Sequence, residues 1–139
     1  MDSLDLTKKP PRSPYELLGG LLLLARTIDK VRATLPGGNV GAYRIQGFSK
    51  QLLDKLAIGE DDLRAVVSLA GSDAEVAAWV RKHSDPETYA AINVAFERET
   101  IASRSDPEAY FKRYPVARPL PPETPLLRVL ELDDAASFA

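Results

Sequence analysis

The chain has no cysteine and a single histidine, His83, and these two shortages exclude more chemistry than any of its motifs establishes. Without thiols there is no thiolate nucleophile, no zinc-finger spacing and no disulfide framework, a composition that suits a reducing compartment. One histidine rules out a histidine dyad and a two-histidine metal site. Long apolar runs are missing as well: the longest are Leu21 to Ala25 and Val76 to Val80, far below the ~20 residues that span a bilayer. Met1 to Arg12 is polar and lacks the apolar stretch of an export signal. These absences lead us to expect a cytoplasmic protein with no membrane segment.

The chain is 139 residues long, a common size for one domain. At that length roughly two-thirds of the unfolded surface is hidden on folding, enough to build a core without disulfide or metal. Net charge is −2 and unevenly placed. Residues 1–50 carry 8 basic and 4 acidic side chains, and residues 51–139 carry 10 and 16. A +4 half is a mild field, and a pI near 5.4 opposes a nucleic-acid partner.

Helix signals recur along the chain. Ser13-Pro14-Tyr15-Glu16 has the form of a capping box with proline at the first helical position, and Pro36-Gly37-Gly38 has the form of a stop. Between them Leu17, Leu21, Leu24, Ile28, Val31 and Leu35 alternate at spacings of four and three, which predicts a long first helix over 13–35. Gly19-Gly20 falls inside it and suggests a close backbone neighbour. Ser49 and Gly59 open a second and a third helix, and Ser72-Asp73-Ala74-Glu75 is another capping box. The phrase Ser-Asp-Pro-Glu-x-Tyr occurs twice, beginning at Ser84 and at Ser105, and reads as two helix starts with the same cap and first-turn proline. Five prolines between Pro115 and Pro125 predict an extended strap. Leu126 to Leu132 fits either a helix or a strand.

No segment alternates at period two over a strand length. The expected fold is therefore all-α: a compact bundle of about five to seven short helices around a long central first helix, with a proline-rich C-terminal strap. The expected organisation is a flexible lead-in over 1–12, a single helical domain over 13–134 and a loose tail over 135–139.

Arg12-Ser13-Pro14-Tyr15, Gly19-Gly20, Arg26, Asp29-Lys30 and Arg32 together resemble a bacterial family of domains of unknown function, numbered 5069. The likeness is strongest over residues 4–35. Further on, Leu52-Leu53, the acidic helix leading to Trp79, and the segment Leu126 to Asp134 are similar in order and spacing. The resemblance implies no cofactor, substrate or catalytic residue. The proline-rich stretch 115–125 departs from it, since the family is more continuously helical there.

One polar cluster stands out. Leu18, Leu22 and Leu23 make the start of the predicted helix apolar all round, and Arg26, Asp29 and Lys30 then occupy the face one turn below. Their spacing lets them meet as an exposed ion-pair face of small energetic consequence. It also suits an anion site floored by Leu22 and Leu23, in which Asp29 holds the two cations and Arg12 and Tyr43 could join. His83 reads as a helix-end contact, Ser13 as a cap and Trp79 as a core anchor. Asp61-Asp62 and Asp133-Asp134 are ordinary helix-terminal charges rather than a cation site, so no metal or cofactor is expected. The resulting expectation is a binding domain for a small anionic ligand or a protein partner. An enzyme using Arg26, Asp29 and Lys30 is one alternative, and a scaffold acting through the proline-rich strap is another.

Overall fold

A computed structural model describes residues 1–139. It contains seven helices: α1 (Leu24–Ala33), α2 (Phe48–Leu56), α3 (Glu60–Leu69), α4 (Asp73–Lys82), α5 (Tyr89–Arg98), α6 (Pro107–Arg113) and α7 (Leu126–Ser137). Three short 3-10 turns, Pro86–Thr88, Ile101–Ser103 and Pro115–Ala117, lie between them, and β-type pairing is limited to isolated bridges. The fold is thus all-α, and residues 126–132, ambiguous in sequence, are helical. No helix is long and apolar enough to cross a membrane.

Side-chain caps explain three of the seven helix starts, those of α4, α5 and α6, whereas Ser49, expected to open the second helix, lies inside α2 with its hydroxyl accepting from Thr27. Ser72 accepts from the Glu75 N–H at 3.3 Å, while the Glu75 carboxylate reaches the Gly71 N–H at 2.9 Å. Asp85 and Asp106 accept from Glu87 and Ala109, each with proline at the next position. The repeated phrase therefore does the same work twice, satisfying backbone donors that the first turn leaves without partners.

The first helix is shorter than its leucine pattern predicts. Gly19 and Gly20 have φ of +59° and +84°, and Leu18 and Leu21 exchange both backbone hydrogen bonds across them at 3.1 and 3.0 Å. Two consecutive positive φ values make a mirror-image β-turn, which no helix accommodates. Ser13 likewise forms a turn, accepting from the Tyr15 N–H, and its hydroxyl donates to Glu131 at 2.6 Å on α7. Leu23 then adopts φ +70° immediately before α1. Leu17, expected in the apolar stripe, is 64% exposed. Leu21 to Leu24 are all buried, because an irregular chain turns them into the core one after another. From Leu24 onward Ile28, Val31 and Leu35 are buried as the spacing predicts, and α1 packs on α2 and α3 at the centre of the bundle. Gly19 also explains the close neighbour: an added Cβ would lie 3.0 Å from the Ala77 Cβ of α4.

Residues 1–12, expected as a flexible lead-in, lie against the domain. Leu6 is buried, and the Leu4 and Leu6 backbones pair with Asn39. The expected loose tail forms the last turn of α7 as far as Ser137. The strap folds against residues 99–102, where Ile101 and Ala102 donate to the Thr124 and Pro122 carbonyls. There Ile101, Ala117, Leu126 and Val129 form a small second core, while Leu127 faces the main one. Helix α7 therefore joins the two.

Candidate functional site

Because α1 is buried on nearly all sides, its charged residues need partners from elsewhere in the chain. Arg26, only 3% exposed, is held by Asp134 of α7 through two bonds of 2.7 and 3.2 Å. One of its donors also reaches the Arg12 carbonyl, and Tyr43 donates to Asp134 at 2.8 Å. Asp29 faces another way. It accepts from the Arg12 backbone at 2.8 Å and from the Arg12 guanidinium at 3.1 Å. That guanidinium continues to Asp73 at 2.7 and 3.0 Å, which pulls the Asp73 carboxyl below its usual range and stabilises charged Arg12.

Asp29 thus anchors Arg12, whereas the sequence pattern pairs it with Arg26 and Lys30. Five expected residues accordingly divide into two groups. Arg26, Lys30 and Tyr43 line a half-enclosed cavity of about 800 Å³; Arg12 and Asp29 form an ion-pair network outside it. Leu23 contributes to the cavity wall, and Leu22 does not.

The cavity lies between α1, the 41–47 loop, the start of α2, α6 and α7. Its wall carries five cationic side chains, Arg26, Lys30, Arg44, Arg104 and Arg113, against a single carboxylate, Asp133. Arg104 is paired with Glu99 at 2.7 Å. Arg44 has only the Gly41 and Tyr43 carbonyls, and Arg113 only the Tyr114 hydroxyl. The Nε atoms of Arg26 and Arg104 are buried without an acceptor. Apolar and aromatic groups complete the wall, among them Phe48, Tyr110, Tyr114 and Leu130.

Burial, reinforced by Arg26, lowers the Lys30 amine from 10.5 to about 7. Burial raises Tyr110, and burial together with the bond to Asp134 raises Tyr43, so both phenols stay protonated at neutral pH. Burial also lifts the Asp133 carboxyl above its usual range. Between pH about 7 and 10.5 the unfolded chain holds the Lys30 proton and the folded chain has released it. Stability contributed at this site therefore rises with pH across that window. Urea unfolding at pH 7, 8 and 9 is expected to show a smaller rise for Lys30→Met than for wild type. Equal slopes would mark Lys30 as an ordinary solvated amine.

Family comparison extends over most of this architecture, for a family model described as Domain of unknown function (DUF5069) matches residues 8–134. The chain belongs to that family. No curated protein matches it. The matched span of the DUF5069 domain includes both ends of the Arg26–Asp134 pair.

The sequence pattern does not reveal Arg44, Arg104, Tyr110, Arg113, Tyr114 and Asp134 as neighbours of Arg26 and Lys30. One signal is present, since Tyr110, Arg113 and Tyr114 stand at i, i+3 and i+4 and so share one side of the α6 turn. Nothing local connects that side to α1.

Proposed function

We propose that the DUF5069 domain binds a small anionic ligand in the cavity between α1, α6 and α7. The observation that carries this reading is the set of wall side chains left without a counter-ion: Arg26 and Arg104 are paired with Asp134 and Glu99, whereas Arg44, Arg113 and Lys30 have no carboxylate partner and share the wall with a single carboxylate, Asp133. Clustered like charges repel in a half-enclosed space, and an anion relieves that repulsion while gaining arginine donors suited to carboxylate or phosphate. A volume of about 800 Å³ falls within the range of small-molecule sites. The aromatic and leucine surfaces beside the cations suit an organic body attached to the anionic group. By contrast the strap, the basis of the scaffold alternative, has its Pro122 and Thr124 carbonyls occupied by the adjoining segment.

Thermal unfolding tests the proposal, with inorganic phosphate, citrate and nucleotides compared at fixed ionic strength. At least one should raise the midpoint, by an increment that grows as RT ln(1 + [L]/Kd), about 2.7 kcal/mol at a hundredfold excess over Kd. Arg44→Ala and Arg113→Ala, both changes at exposed residues, should weaken that response while leaving the ligand-free midpoint within about 0.5 kcal/mol of wild type. An unchanged midpoint with every anion would refute the assignment.

A further inference from the structure

Lys30 is the one cationic side chain of the cavity wall that makes neither an ion pair nor a hydrogen bond. Arg26 has Asp134, Arg104 has Glu99, Arg44 has two carbonyls, and Arg113 has the Tyr114 hydroxyl. Lys30 lies one helical turn from Arg26 and borders both the large cavity and a smaller one of about 290 Å³. Lys30 is half-buried, and an amine placed beside another cation and partly withdrawn from water loses its proton more readily than a solvated one; in that form it is a nucleophile. The remaining cations supply what an incoming anion needs: Arg44 and Arg113 are exposed and have no carboxylate partner.

We infer that Lys30 is a covalent site, whose amine condenses with the carbonyl group of an aldehyde or ketone that also carries a carboxylate or phosphate. The inference rests on the anion-binding reading and adds a reacting group to it. In the condensation the amine nitrogen attacks the carbonyl carbon and forms a C–N bond, giving a carbinolamine. The carbonyl oxygen takes up the two hydrogens that the nitrogen gives up and leaves as water, and a C=N bond remains. No oxidant or reductant enters. The amine value of about 7 fits this role, because a large fraction of Lys30 is uncharged at neutral pH while a solvated lysine is almost wholly protonated.

The full chain is incubated at pH 7 with glyoxylate, an anionic aldehyde, and cyanoborohydride, which delivers hydride to the imine and fixes it as a secondary amine. Peptide mass mapping then locates the adduct. Lys30 should be labelled at least about tenfold faster than exposed Lys50 and Lys112, and inorganic phosphate should slow its labelling. Propanal, which has no anionic group, should label Lys30 more slowly than glyoxylate does. Uniform labelling of the lysines, or an unlabelled Lys30, overturns the inference, and equal rates with the two aldehydes overturn the anionic carbonyl class. A midpoint raised by phosphate without a Lys30 adduct overturns the covalent site alone and leaves the binding reading in place. The mapping needs only the wild-type chain, so it decides the question even if a Lys30→Met variant fails to fold.

Discussion

Replacing Asp134 by alanine is expected to destabilise the domain by about 3–5 kcal/mol, because it removes one member of a buried ion pair and leaves the other in place. Arg26 and Asp134 have side-chain exposures of 3% and 8%. Burying both charges is costly, and their two bonds, of 2.7 and 3.2 Å, offset that cost only while both partners are present. With Asp134 gone, Arg26 retains the Arg12 carbonyl and no carboxylate, and the Tyr43 hydroxyl loses its acceptor. Chemical unfolding of Asp134→Ala should show this as a lower midpoint at unchanged slope. The double variant Arg26→Met with Asp134→Leu should recover much of the loss, since an apolar pair of similar volume escapes the desolvation problem. A loss below about 1 kcal/mol in the single variant would be the behaviour of a surface pair.

Leu24→Ala is expected to cost about 2–5 kcal/mol. Leu24 opens α1, is 1% exposed and belongs to the twenty-residue main core, so truncation leaves a cavity that the neighbouring elements cannot close. The informative control is Leu17→Ala. Both leucines sit on the same stripe if residues 13–35 are read as one helix, yet Leu17 is exposed and precedes the Gly19-Gly20 turn. Its truncation should fall within about 0.5 kcal/mol of wild type. Equal losses at the two positions, measured by urea unfolding, would restore the long helix and remove the turn.

What is legible in the sequence depends on the distance over which each signal acts. Ser72, Asp85 and Asp106 cap helices through bonds that span two or three residues, so their motifs carry the whole explanation. Ser13-Pro14-Tyr15-Glu16 has the same form but meets a different competitor. Two glycines with positive φ turn the chain a few residues later, and Glu16 goes to the Arg12 guanidinium. The leucine period predicts burial correctly where the backbone is helical, at Leu24, Ile28 and Val31; ahead of α1 it fails at Leu17, which is exposed, and Leu21 is buried by the turn rather than by a helix face.

The polar cluster follows the same rule. Arg26 and Asp29 are three apart, and an exposed helix pair at that spacing contributes a few tenths of a kcal/mol. Each instead takes a partner from another element, Arg26 from α7 and Asp29 from residue 12, where burial and paired donors make the bonds stronger. Arg26 and Lys30 are identifiable as neighbours because the helix makes them so. Their convergence with Arg104, Tyr110 and Arg113 depends on where α6 packs, and no local pattern encodes that.

The separation of Arg26 and Asp134 along the chain has a consequence for how the protein is made. Their bond closes across 108 residues, so a growing chain delivers the arginine to the ribosome exit well before its counter-ion has been translated. At roughly 5–20 residues per second that interval is about 5–20 seconds. As the helices between the two residues are made, α1 gains its apolar partners, but Arg26 still has no acid to accompany it into the core. The nascent chain can collapse early and still has to wait for α7 to finish.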